Sequence, residues 1–482
     1  MLLSKILTGV VNIDTILKDG EINKIEFDSR KVAEGDMFVA TTGTAVDGHK
    51  YIETAIEAGA SVIVCQKMPE NRAKNIEYIC VDDSAEALGV MSSNFYNNPS
   101  QALTLVGVTG TNGKTTTATL LYDLFRKLGY KVGLISTVCN YVHDRAIEAT
   151  HTTPDAIALN ALLGDMVSEG CEYAFMEVSS HAMEQRRIAG VQFAGGVFSN
   201  LTRDHLDYHL SFDNYLKAKK RFFDDMPKGA FVLSNSDDKN GMVMMQNTKA
   251  TKQTYSVRGL ADYTVRILEE SFDGMLMNFC GREAFMPFVG RFNAYNLLAV
   301  YATATLLGAD ADEVLRIIST LKPVSGRFDA IKSPTGYTAV VDYAHTPDAL
   351  TNVIDTINEV RNVGSTLITV VGCGGNRDAG KRPIMAQEAV KGSNKVILTS
   401  DNPRFENPQT ILDDMVAGLN ERQMRDVLVI ADRRMAIRTA CQLAKKDDVI
   451  LIAGKGHEDY QIIEGVKHHF DDKEEVITMF NL

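Results

Sequence analysis

A glycine loop closing on Gly113-Lys114-Thr115 is the first place where residue type and spacing point to chemistry. In residues 103–117 a short apolar run ends at Thr109-Gly110-Thr111-Asn112-Gly113-Lys114-Thr115, and a helix-friendly segment, 118–128, follows at once. Strand, glycine loop, lysine and helix N-terminus together make a cradle for phosphate, because backbone N–H groups and the helix dipole converge on the anion. In such a cradle Lys114 reaches the outer phosphates and the Thr115 hydroxyl takes a place on Mg²⁺. The fit to the ordinary nucleotide loop is imperfect. Val108 stands where that pattern has glycine, with glycines at 107 and 110 instead.

Further groups with chemistry to offer end other apolar runs. Glu177 closes Tyr173-Ala174-Phe175-Met176, the strand end at which an α/β sheet meets its ligand. A carboxylate there suits Mg²⁺, which takes few carboxylates beside phosphate and water; a solvated glutamate at a sheet edge is the lesser alternative. Leu201-Thr202-Arg203-Asp204-His205-Leu206-Asp207-Tyr208-His209 follows a strand at 193–200 and gathers acid, base and imidazole on one loop. The helix expected at 212–225 carries Lys217, Lys219, Lys220 and Arg221, which alone read as a solvated face. In His151-Thr152-Thr153-Pro154, Pro154 can open a helix with Thr153 as its N-cap, a role set beside ligand binding. Asp28-Ser29-Arg30 fits either a phosphate or sugar contact or a turn cap with a solvated arginine. The run Gly372-Cys373-Gly374-Gly375 lacks the spacing of a dinucleotide fingerprint, so no second cofactor is expected.

The elements that position these groups alternate between strand and helix. Strands are expected at 61–65, 78–81, 131–136, 338–342 and 366–372, and helices at 55–60, 85–96 and 297–307, so the class is α/β. With 482 residues the chain should hold roughly three domains of ~100–200 residues each. The turn cluster Asn97-Asn98-Pro99-Ser100 is a plausible linker. A net charge of -12 argues against an electrostatic grip on nucleic acid or an anionic membrane surface. Seven scattered cysteines without a Cys-x-x-Cys pair suggest neither a zinc site nor a disulfide framework, and a reducing cytosol is the expected compartment. No apolar run approaches the ~18–20 residues of a membrane span. Residues 1–17, broken by Lys5, Asn12 and Asp14, read as an opening element rather than a signal peptide.

Three of these stretches together resemble the Mur ligases, ATP-dependent amide-bond ligases of peptidoglycan synthesis. They are Gly110 to Thr115, Glu177-Val178-Ser179-Ser180-His181, and Asn200 to His209. The resemblance covers nearly the whole chain, and the displaced loop glycine is the family's own form. It implies three α/β domains: 1–99 binding the UDP end of the substrate, 100–329 with a central parallel sheet and the P-loop for ATP, and a Rossmann-like 330–482 for the amino acid. The closest members add the third stem-peptide residue to UDP-N-acetylmuramoyl-L-alanyl-D-glutamate. ATP and Mg²⁺ are the implied cofactors, no nucleic acid partner is implied, and a cytoplasmic monomer is expected.

Residue by residue, the resemblance gives Thr109, Gly110, Thr111, Asn112, Gly113, Lys114 and Thr115 to ATP, with Asn293 and Arg327 near the nucleotide. Ser29 would contact the uridine nucleotide; Thr152, Thr153, Ser179, Gln185 and Arg187 would hold the muramoyl-peptide. Thr115, Glu177 and His205 would ligate magnesium together with Lys219, which falls where the family carries a carbamylated lysine. Lys220 and Arg221 would favour the anionic carbamate, although Lys217 and Lys220 compete for the modification. Catalysis would thus rest on Lys114, Glu177, His205 and Lys219. Asp401-Asn402-Pro403-Arg404 looks like the form that reads meso-2,6-diaminopimelate, with Arg377, Gly454 and Glu458 beside it. The physics agrees, since a guanidinium fork is the best partner for the carboxylate that lysine lacks. Without the resemblance Arg404 reads as a solvated loop arginine. Addition of L-lysine, or a ligation like that of folylpolyglutamate synthase, is the alternative.

Overall fold

The computed structural model describes residues 1–12, 19–43 and 46–480, and the side chain of Asp207 also lies outside the description. Part of the opening element expected at 1–17 therefore falls outside the described residues. Three sheets follow one another along the chain. The first contains the parallel strands β1 (Ile25–Glu26), β2 (Met37–Val39), β3 (Val62–Cys65) and β4 (Glu77–Cys80), in that order. The helix Ser84–Phe95 packs behind it, capped by Asp83, which accepts from the N–H groups of Ala85 and Glu86.

The second sheet carries the phosphate loop. Its strands are β5 (Thr104–Thr109), β6 (Val132–Ile135), β7 (Cys139–Val142), β8 (Arg145–Glu148), β9 (Tyr173–Glu177), β10 (Gly195–Phe198), β11 (Phe231–Asn235), β12 (Thr251–Ser256), β13 (Tyr263–Ser271), β14 (Gly274–Phe279) and β15 (Arg282–Met286). Their spatial order is β15-β14-β13-β12-β11-β10-β5-β9-β6-β7-β8. The run from β13 to β6 is parallel, and antiparallel strands extend it on both sides. Central strands covered on both faces must be apolar throughout, and β5, β9 and β10 are buried almost end to end. The helices Lys114–Lys127 and Arg291–Leu306 share one core with Phe125, Phe175 and Leu298; the latter helix starts six residues before the expected 297.

The third sheet has β16 (Asp329–Lys332), β17 (Thr338–Asp342), β18 (Leu367–Cys373), β19 (Lys395–Ser400), β20 (Val427–Val429) and β21 (Val449–Ala453), ordered β16-β17-β21-β18-β19-β20. All its pairs are parallel except β16 with β17. A hairpin, β22 (Tyr460–Ile463) with β23 (Val466–His469), completes the strands. Among the described residues no helix is long and apolar enough to cross a membrane, and all seven cysteines are free thiols.

Two alternatives left open by the sequence are excluded at this level. The helix after Pro154 runs Ala156–Ser168, and Asp155 caps it by accepting from the N–H groups of Ile157 and Ala158. Aspartate is at least as good a cap as threonine, and Thr153 is left to donate from Oγ1 to the Glu177 carbonyl at 2.8 Å. Glu177 is also no edge residue: β9 lies between β5 and β6, and the side chain is 1% exposed.

One buried ion pair ties the ends of the third sheet together. Arg433 and Asp472 are both fully buried and meet through two 2.7 Å hydrogen bonds. The same guanidinium donates to the carbonyls of Ser400 and Ala453, the last residues of β19 and β21. Arg433→Ala is expected to lower the stability of this part of the chain by ~3–5 kcal/mol in urea unfolding, because it strands a buried carboxylate. The double change Arg433→Met with Asp472→Leu is expected to cost less than the single one.

Candidate active site

The strand order explains where the functional side chains gather. β5, β9 and β10 all end on the same edge of the second sheet, and their loops meet there. Gly110 adopts φ +148° and Gly113 φ +88°, both awkward for any residue with a Cβ. A Cβ on Gly110 would also collide with Ser199 Oγ, so this glycine is required twice over. The loop is braced from β10: Thr111 N–H donates to the Asn200 carbonyl (2.8 Å), Asn112 N–H to Asn200 Oδ1 (2.9 Å), and Ser199 Oγ to the Asn112 carbonyl (2.5 Å). Lys114 Nζ folds over the loop onto the carbonyls of Gly110 and Thr111, each at 2.9 Å, and burial pulls its pKa down.

Glu177 stands behind the loop. Its Oε1 accepts from Thr115 Oγ1 (2.9 Å) and from the Thr137 N–H (2.8 Å), while Oε2 is buried without a hydrogen-bond partner. A buried carboxylate oxygen left over beside a threonine hydroxyl is the donor arrangement a hard cation takes, so the residues fit magnesium. No cluster of three or more His, Cys, Asp or Glu forms a metal site by itself among the described residues, and a phosphate-bound magnesium does not need one. His205 sits in the left-handed region at φ +53°, its ring against His181 at 4.8 Å. Burial holds its imidazole neutral, with a pKa of about 3, against the pull of Asp204.

Lys219 is not on a solvated face. It is 1% exposed, whereas Lys217 points outward and Lys220 pairs with Asp224 at 2.5 Å. Its Nζ donates to the Gly110 carbonyl at 2.8 Å and lies 5.0 Å from the Tyr215 ring centre. Burial first, and then the Lys114 charge, push its pKa well below the ordinary lysine value, a shift toward the neutral amine. The expected influence of Lys220 and Arg221 is replaced by that of Lys114, because Lys220 and Arg221 turn toward Asp224 and the Met183 carbonyl.

A cleft of about 530 Å³ runs from this cluster to the third sheet. Lys114, Thr152, Thr153, Ser179, Arg187, His205 and Lys219 line one wall; Arg377, Asp401, Asn402, Arg404, Gly454 and Glu458 line the other. Gln185 lies behind the wall, where its Oε1 accepts two hydrogen bonds from Arg187 and its Nε2 donates to Tyr208 Oη. Arg404 has φ +54°, a left-handed conformation held by its N–H on the Ile462 carbonyl and by Glu464 N–H on its own carbonyl. Its Nη1 donates to the Gly375 carbonyl at 2.8 Å, which aims the guanidinium along the cleft wall. Glu458 accepts from Asn402 Nδ2 (2.8 Å) and Lys455 Nζ (3.2 Å), and burial followed by the Asp401 charge raises its pKa. Gly454, at φ +119°, passes so close to Asp401 that a Cβ would press on the carboxylate.

Other expected residues lie outside the cleft lining. Pro403 is buried in the loop that carries Arg404. Ser29 is in the first unit, where Arg30 forks onto Asp28 and holds that carboxyl down to about 2. Asn293 is buried, donates to the Val289 carbonyl and accepts from Asn296, so neither asparagine caps the helix; Gly290 does. Arg327 reaches Thr115 Oγ1 at 3.2 Å and stacks on Tyr343 at 4.5 Å, linking the third unit to the loop. Sequence reasoning did not single out Thr137 or Lys381. Thr137 acts through its backbone, which leaves no side-chain signal, and Lys381 looks like one more basic residue before Pro383.

Family models match three consecutive stretches: the Mur ligase family catalytic domain over 21–96, the Mur ligase middle domain over 108–304, and the Mur ligase glutamate ligase domain over 326–456. The chain is 60% identical over 482 residues to a protein of Phocaeicola vulgatus named UDP-N-acetylmuramoyl-L-alanyl-D-glutamate--2,6-diaminopimelate ligase, covering 100% of this chain and 99% of that one. A solved structure of a ligase of the same name superposes with a TM-score of 0.71 at 34% identity, over 100% of this chain and 99% of the other. A folylpolyglutamate synthase from Thermotoga maritima has a TM-score of 0.58 at 14% identity, over 77% and 90%, and shares the fold. On these matches, end to end, the chain belongs to the Mur ligase family.

Proposed function

We infer that this chain is an ATP-dependent ligase that joins meso-2,6-diaminopimelate to the D-glutamyl carboxylate of UDP-N-acetylmuramoyl-L-alanyl-D-glutamate. The carrying observation is a single cleft with Lys114 of the phosphate loop, His205 and Lys219 at one wall and Arg404 with Glu458 at the other, while Glu177 stands behind the loop on Thr115. The 60% identical relative bears the name of this activity. The reaction begins when the D-glutamyl carboxylate takes the γ-phosphoryl group of ATP and becomes an acyl phosphate. The amine of diaminopimelate then attacks the acyl carbon and phosphate leaves. Lys114 and the loop N–H groups offset the charge that develops on the phosphoryl oxygens. A magnesium ion held by Thr115, Glu177, His205 and carbamylated Lys219 would neutralise further phosphate charge.

The substrate residues divide along the cleft. Thr109 to Thr115 hold the triphosphate, with Asn293 and Arg327 toward the rest of the nucleotide. Thr152, Thr153, Ser179 and Arg187, with Gln185 fixing Arg187, hold the muramoyl-peptide, and Ser29 takes the distant uridine end. Arg377, Asp401, Asn402, Arg404, Gly454 and Glu458 hold the amino acid, in a loop that Pro403 stiffens. Units 1–99, 100–329 and 330–482 carry the three substrates in turn. One chain supplies both walls, which supports a monomer, and its free thiols suit the cytosol.

Arg404 is the specificity residue, because a carboxylate absent from L-lysine would leave its charge unpaired in the cleft. In a phosphate-release assay with the UDP-dipeptide, diaminopimelate is expected to exceed L-lysine in kcat/KM by about 10⁴-fold. Arg404→Ala is expected to lower kcat/KM for diaminopimelate by about 10²-fold or more while the KM for ATP stays within about threefold. Equal rates with both amino acids would overturn the assignment. Intact-mass and ¹³CO₂ NMR measurements are expected to find a carbamate on Lys219 that Lys219→Arg removes; an unmodified Lys219 in bicarbonate buffer would refute that step.

A further inference from the structure

The third unit places one lysine in the cleft that binding of the substrates leaves without a task. Lys381 ends the turn Ala379–Lys381, just before the helix Arg382–Gly392. Its neighbour Arg382 is buried and locked, with Nη1 on Asp414 Oδ2 at 2.8 Å and Nη2 on both carboxylate oxygens of Glu406 at 3.0 and 2.8 Å. That anchor fixes where the preceding residue points. Lys381 Nζ donates to the His345 carbonyl at 2.9 Å and lines the cleft together with Asp204 from the opposite unit. The turn itself faces the second unit: Asp378, which caps it, lies 3.9 Å from Arg203.

The other lysine and arginine side chains of the cleft have assignments, with Arg377 on the amino-acid side and Arg203 facing Asp378 at 3.9 Å. Lys114 is folded onto the carbonyls of the phosphate loop, and Lys219 onto that of Gly110. Arg187 is held by Gln185 and the Thr153 carbonyl on the peptide side, and Arg404 belongs to the amino-acid side. Lys381 alone among the cleft lysines comes from the amino-acid unit and lines the seam between the two clusters. That seam is where acyl carbon, amine and departing phosphate must meet.

We propose that Lys381 is a catalytic residue of the second half-reaction, donating to the oxyanion and to the departing phosphate as the amide forms. The step rests on the ligase reading above. The amine nitrogen forms a bond to the acyl carbon, and the carbonyl electron pair moves to oxygen. As that pair returns, the bond from carbon to the phosphate oxygen breaks and phosphate leaves with its electrons. The proton shed by nitrogen goes to the phosphate. Lys381 keeps its own proton throughout and supplies a fixed positive charge, the kind of preorganised donor whose removal costs about 10²–10³ in kcat.

The test separates the half-reactions. Hydroxylamine, added in place of the amino acid, traps the acyl phosphate made from ATP and the UDP-dipeptide as a hydroxamate, and ligation is assayed in parallel. Lys381→Met is expected to lower kcat for ligation by about 10²-fold, with KM for ATP and diaminopimelate within about threefold and hydroxamate formation retained. Lys381→Arg, which keeps charge and donor, is expected to recover part of the loss and guards against misfolding of the methionine variant. Ligation within about threefold of wild type in Lys381→Met, loss of hydroxamate together with ligation, or a rise in KM with kcat unchanged would each overturn the proposal. Wild type that forms no amide would instead refute the ligase reading.

Discussion

The carboxylate of Glu177 is the constraint on which the rest of the site depends. Burying an ionised group is costly unless it is hydrogen-bonded, and Glu177 satisfies one oxygen by holding Thr115 and the Thr137 N–H together. Those bonds join the ends of β9 and β6 to the start of the phosphate-loop helix. The remaining oxygen is buried without a hydrogen-bond partner, an acceptor position that a cation would satisfy. The central strand order thus assembles the loop, its brace from β10 and the buried carboxylate on one edge.

The second wall solves a different problem. It offers cations and anions at fixed spacing rather than one charge, which suits the zwitterion proposed to bind there. The buried Arg433–Asp472 pair fixes the ends of β19 and β21, where Asp401 and Gly454 begin their loops. Lys455, itself fully buried, then sets Glu458 against Asn402. Stability in this unit and recognition at its edge therefore share the same hydrogen bonds.

What was legible in the sequence follows from how local each signal is. The glycine loop, its strand and its helix are contiguous, so their geometry could be read from spacing. Glu177 was legible as a strand-end carboxylate, but its central position depended on a strand order that no single stretch encodes. Whether Thr153 caps the helix or faces a ligand stayed open in the sequence because Asp155 competes two residues later, and only the backbone decides for Asp155. Lys219 looked like part of a basic stripe, yet Tyr215, Ala218, Phe222 and Phe223 mark its face as the buried one. Lys381 gave no signal, since its place in the cleft depends on a buried arginine whose partners lie 24 and 32 residues away.

Arg404 holds its position against the preference of its own backbone. A left-handed φ of +54° is one that asparagine or glycine would adopt with less strain. On its proposed role, conformational ease and discrimination therefore pull in opposite directions at this residue. A chain selected only for a relaxed fold would shed the guanidinium and gain a little stability, becoming a less discriminating enzyme in the process. On the specificity role proposed for Arg404, the strain at this one peptide is the standing cost of choosing between two amines that differ by a single distant carboxylate.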